Sequence, residues 1–152
     1  MRDIRGSFSQ PRQGNHIISQ TDSEKIKKIF EGDMKILNEY CKELGIELAR
    51  KGVSNSHLRS ILDEIQEIFR KEFQEKPDEF KIRLMNRLEL LKPKLAYLVG
   101  KQKGGTKEAL GKLYLILDFA ISKVSHNNSE YLKNFMEAIV AYHRYYEKGG
   151  GQ

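Results

Sequence analysis

The chain of 152 residues carries 27 Lys and Arg against 21 Asp and Glu, a net charge of +6. That length allows one domain with its own apolar core, and 39% hydrophobic with 32% charged residues excludes a disordered composition. With no Trp, three prolines and few β-branched runs, a helical protein is expected and a sheet is not. Cys41 is the single cysteine, so no intrachain disulfide can form and a reducing cytoplasm is expected. No signal-peptide pattern and no run of about 18 apolar residues is seen, so neither secretion nor a membrane span is expected.

Residues 1–20 lack periodicity and are rich in Gly, Gln, Ser and Arg, which predicts a flexible tail. Thr21 and Glu24 have capping-box spacing, which predicts a helix opening at Thr21. Ile26, Ile29, Phe30, Leu37, Tyr40, Cys41, Leu44 and Leu48 then recur at threes and fours. Gly32 and Gly45 weaken this stretch, which reads as one helix or two, and Gly52 is a plausible stop. Ser54 is the expected cap of the next helix, with Leu58, Ile61, Leu62, Ile65, Ile68, Phe69 and Phe73 on one face. Pro77 suits the first turn of another.

The next stripe is Phe80, Leu84, Leu88, Leu91, Leu95 and Leu98, and it keeps phase through Pro93. Two readings fit: one kinked helix with Pro93 on its outer side, or a new helix with Pro93 at its first position. Gly104 and Gly105 are expected to end this element. Leu110, Leu113, Tyr114, Leu117, Ile121 and Val124 mark a further helix, and HNNS a turn in which Asn128 or Ser129 caps the last one. That helix carries Leu132, Phe135, Met136, Ile139, Val140 and His143, and KGGGQ follows as a second tail. The expected fold is all-α, a compact bundle of five to six helices, with one helical domain over 21–147 between tails 1–20 and 148–152.

Catalytic and metal chemistry find no support. Four histidines and one cysteine cannot build a zinc ribbon or finger, and neither a phosphate loop nor an HExxH helix is present. GGTKEALGK lacks phosphate-loop spacing and reads as a helix–helix turn. Glu137 and His143 lie six apart, so a helix aims them differently, and His143 reads as a hydrogen-bonded histidine at the core's edge. Asp118 reads as a surface charge or an interhelical pair. No enzyme activity, cofactor or metal is expected.

Charge is unevenly spread. Residues 21–53 balance at seven basic and seven acidic side chains, and residues 54–76 sum to −1. Residues 77–105 sum to +4, with only Glu89 between Lys81 and Lys103. Arg83, Arg87, Lys94 and Lys101 line one flank of the leucine stripe, and Lys81, Lys92 and Lys103 the other. Cationic stems can snorkel at the rim of any buried face. A stripe without acids, however, repels itself until an anion arrives, and ~20 helical residues offer about 30 Å of track for a phosphate backbone. Tyr97, Tyr142, Tyr145 and Tyr146 could stack on bases, but core packing or helix-end solubility is the plainer reading. Backbone contacts with little base readout are therefore expected. Two rival readings are a helical DNA-binding regulator and a protein-only scaffold. The first would use Ser54, Asn55, Ser56, His57 and Arg59 at a helix start, but Asp63, Glu64 and Glu67 follow at once.

Three stretches carry a family resemblance: VSNSHLRSIL at 53–62, LELLKPKLAYLVGKQKG at 88–104 and NFMEAIVAYHRYYEKGG at 134–150. In this order they resemble the small subunit of type III-A CRISPR (Csm) effector complexes, whereas the first twenty residues do not. The resemblance implies a helical bundle working in several stacked copies, or as a dimer, beside the other Csm subunits. There it would help form the channel for crRNA and target RNA, without nuclease activity of its own. Carried over by position, Arg59, Lys92, Lys94 and Lys101 are the basic residues of the matching stretches. Lys101 stands where arginine is more usual, which replaces a bidentate phosphate contact by a point charge. The expected RNA-binding set is Arg59, Arg83, Arg87, Lys92, Lys94, Lys101 and Lys103.

Overall fold

A computed structural model describes residues 18–72, 77–125 and 127–147, with the side chains of 71–72 and 77–81 excepted. Expectations for residues 1–17 and 148–152, and for the side chains of Phe73, Phe80 and Lys81, lie outside the described residues. The described residues form six α-helices and no strand: α1 (Gln20–Phe30), α2 (Met34–Arg50), α3 (Asn55–Glu72), α4 (Pro77–Gly100), α5 (Gly104–Ser122) and α6 (Glu130–Tyr146).

The cap of α1 is Ser19 and not Thr21: the Ser19 hydroxyl accepts from the Asp22 amide at 3.0 Å. The stretch from Ile26 to Leu48 is two helices, and the two glycines in it act differently. Gly32 has φ 107°, where a side chain is strained, and Asp33 then caps α2 by accepting from the Ile36 amide at 3.0 Å. Gly45 stays inside α2 as a contact point. A Cβ there would lie 2.8 Å from the His143 amide nitrogen and from the Tyr142 Cβ. The missing side chain is what lets α2 and α6 approach so closely.

Ser54 caps α3 as expected, accepting from the His57 amide at 3.1 Å. The first reading of Pro93 holds in that α4 runs from Pro77 through Pro93 to Gly100 as one helix. Pro93 is exposed, so the Glu89 carbonyl that lacks an amide partner can be hydrated. Gly104 and Gly105 do not end α4; they open α5, with Lys103 in extended conformation as the cap residue. Neither Asn128 nor Ser129 caps α6 through its side chain. The Asn128 amide instead donates to the carbonyls of Phe30 at 3.1 Å and Lys123 at 2.9 Å, and its oxygen accepts from the Ser125 amide at 2.6 Å. It clamps the α5–α6 turn onto the end of α1.

The core is one cluster fed by all six helices. The most extensive packing is α2 against α6, with α3 also on α6, and α4 lies against α3 and α5. His143 is fully buried, not at the edge, and its Nε2 stands 2.6 Å from the Val53 carbonyl, to which the ring N–H donates. Glu137 points elsewhere and accepts from the Gln66 amide at 3.1 Å. Cys41 is buried, with its thiol donating to the Phe135 carbonyl at 3.5 Å. Burial pushes that thiol's pKa well above the ordinary range. Among the described residues no helix is long and apolar enough to cross a membrane.

Candidate nucleic-acid interface

Helix α4 is built from one inner face and a broad outer one. Leu84, Leu88, Leu91 and Leu95 are buried, which fixes how every other residue of the helix is presented. One flank turns toward α3 and the other toward α5. Lys94 on the first flank pairs with Glu64 of α3 at 3.1 Å. Lys92 on the second pairs with Asp118 of α5 at 2.8 Å and with Glu89 at 2.9 Å.

The expectation of a cationic run with Glu89 as its one acid is therefore corrected for Lys92 and Lys94: Asp118 and Glu64 reach them from neighbouring helices. Asp118 is the interhelical pair that one of its readings foresaw. Lys92 is the more committed of the two lysines, since its side chain is only 19% exposed and it holds two carboxylates. Partial burial pulls its pKa down, but hydrogen bonds to Asp118 and Glu89 outweigh this and raise it. The Lys94–Glu64 pair is exposed on both sides. Such surface pairs contribute ~0–1 kcal/mol, so an arriving phosphate can displace Glu64. Lys92 is better described as part of the α4–α5 seam.

The other expected residues are spread along this side. Arg59 is exposed on α3 with Asp63 at 4.0 Å. Arg83 is exposed and Arg87 half-buried, and each has a partner. Lys103 is exposed at the start of α5. The Lys101 ammonium stands 5.3 Å from the centre of the Tyr97 ring. A groove of about 410 Å3 between α3 and α4 is lined by Glu64, Ile68, Arg87, Leu90 and Lys94, among others.

The outer face also carries what the leucine periodicity passed over. Ile82, Leu90 and Tyr97 are 63%, 67% and 71% exposed. The signal lay in the sequence: Leu90 and Tyr97 stand seven apart, two turns, on a line away from the buried stripe. Core packing is thus ruled out for Tyr97. Tyr142 donates to Asn38, and Tyr145 and Tyr146 meet edge to face at 4.9 Å. Among the described residues no group of three or more His, Cys, Asp or Glu could hold a metal ion.

A protein-family model described as Csm2 Type III-A matches residues 31–149, which takes in α2 to α6 and the outer side of α4. No curated protein and no solved structure matches the chain.

Proposed function

The chain belongs to the Csm2 Type III-A family and so is a subunit of type III-A CRISPR Csm complexes; from that premise we propose that it is their non-catalytic, RNA-binding small subunit. In this reading several copies stack along crRNA and target RNA in the cytoplasm, beside the other Csm subunits, in antiviral defence. The observation that carries the RNA-binding reading is the exposed cationic side of α4, with Arg83, Lys94 and Lys101 on one flank of a well-buried stripe. Arg59 and Lys103 extend that side, and Arg87 borders the α3–α4 groove. Lys92, held by Asp118 and Glu89, contributes field more than direct contact. The non-catalytic part of the reading rests on the family match.

The test is to replace Lys94 and Lys101 by Ala and measure binding to single-stranded RNA as salt is varied. For each phosphate that is no longer neutralised, the log–log salt slope should flatten by about 0.7, with affinity falling alike for all sequences. Stability should move by no more than ~0.5 kcal/mol for each exposed lysine. Leu95→Ala is the control: it truncates a buried leucine beside the same lysines and should cost ~2–5 kcal/mol. RNA binding by the folded double variant equal to that of the parent would remove α4 from the interface.

A further inference from the structure

We propose that Tyr97, on the outer side of α4, and Lys101, one turn further on and just past the end of the helix, form a base-stacking subsite for single-stranded nucleic acid. The inference rests on the RNA-binding reading above and adds an interaction with bases where that reading has only phosphates.

Tyr97 is 71% exposed, and the Lys101 ammonium lies 5.3 Å from its ring centre. A flexible lysine over an exposed ring can swing to a phosphate while the ring takes a base, because every base has a π-face and stacking tolerates sequence. The pair is not isolated. Leu90 and Tyr97 lie seven apart on one line, and Lys94 and Lys101 lie seven apart on the line beside it. Two parallel rows result, one apolar and one cationic, each step ~10 Å along the helix. A strand whose backbone follows the lysines has its bases beside Leu90 and Tyr97.

Exposed apolar side chains in a group call for a partner, and here the cations beside them favour a polyanion over an apolar protein surface. The tyrosines of α6 are less suited: Tyr145 meets Tyr146 edge to face at 4.9 Å, and the half-buried Tyr142 is engaged by Asn38.

The chain has no Trp, so Tyr97→Trp introduces a single indole at the subsite, which can be excited selectively over the remaining tyrosines. The full-length variant is titrated with a 12-residue oligouridylate and with an abasic strand of equal length. Stacking should quench the emission with the uridylate and leave it unchanged with the abasic strand. Tyr97→Ala should weaken uridylate binding about 5- to 150-fold without changing the salt slope, and its melting should match the parent's. Lys101→Ala should instead lower the slope by about 0.7. If Tyr97→Ala binds uridylate like the parent, or the abasic strand binds the parent equally well, the subsite is overturned while the RNA-binding reading stands. If the parent binds neither strand, both fail. If Tyr97→Ala keeps its RNA affinity but no longer co-purifies with the other Csm subunits, the face belongs to a protein and the proposal is wrong.

Discussion

Replacing His143 separates packing from hydrogen bonding at the centre of the bundle. The side chain is fully buried, and its ring N–H donates to the Val53 carbonyl, with 2.6 Å between nitrogen and oxygen. His143→Phe keeps most of the bulk and removes the donor. Val53 is itself only 3% exposed, so water is a poor substitute and the loss should be ~1–3 kcal/mol. His143→Ala removes the donor and opens a cavity beside α2, and buried large-to-alanine changes typically cost ~2–5 kcal/mol. The alanine variant should therefore lie ~1–2 kcal/mol below the phenylalanine variant. For a chain of this size each kcal/mol lowers the melting midpoint by ~2–4 °C. Thermal and urea unfolding followed by circular dichroism read both numbers. RNA affinity per folded molecule should be unchanged in both, since His143 lies on α6 and not α4. A phenylalanine variant as stable as the parent would refute the hydrogen bond's contribution, and equal melting of the two variants would refute the packing one.

Gly45→Ala sets two effects of opposite sign against each other. Helix propensity gains ~1 kcal/mol, but the new Cβ meets α6 backbone at 2.8 Å, and overpacking costs ~1–3 kcal/mol; net destabilisation is expected, and a higher melting midpoint would show that the helices have room. Cys41 should resist thiol reagents at neutral pH, because burial raises its pKa and only the thiolate attacks. The thiolate fraction grows as pH rises, yet labelling should still follow global unfolding; modification at the rate of a free thiol in native buffer would contradict the burial. Asn128→Ala leaves the Phe30 and Lys123 carbonyls without their donor and should cost ~1–2 kcal/mol in urea unfolding; an unchanged transition would mean that the clamp is replaced by water.

Most of the helical architecture could be read from spacing, because each apolar stripe faces one core and keeps its period. Leu84, Leu88, Leu91 and Leu95 are buried as their spacing implies, and the phase kept across Pro93 reflects a helix that continues. What spacing could not disclose involves partners distant in sequence. Glu64 and Asp118 meet the lysines of α4 across helix seams, so a one-dimensional reading of that segment overstated its free charge. Gly45 resembled a helix breaker because the need for it comes from Tyr142 and His143 on α6. Thr21 lost the cap to Ser19, a choice between two near-equal hydroxyls that local pattern does not decide. Tyr97 stands opposite the buried stripe, 71% exposed, where apolar periodicity carries no signal.

The packing of α6 bears on how the chain reaches this state during synthesis. Its ties to the N-terminal half join residues far apart: Val53 to His143 across 90 positions and Cys41 to Phe135 across 94. Local helices can form as they emerge, but the α2 face that α6 covers has no cover until the last helix has been made. Such closures carry a loop entropy that must be met before the contacts repay it, which slows folding relative to a bundle of sequence neighbours. At ~5–20 residues per second, that face stays open for several seconds on each nascent chain. Leu37, Tyr40, Cys41 and Leu44 are then available to chaperones or to other unfinished copies, so yield in the cell depends on the interval before residue 146 leaves the ribosome.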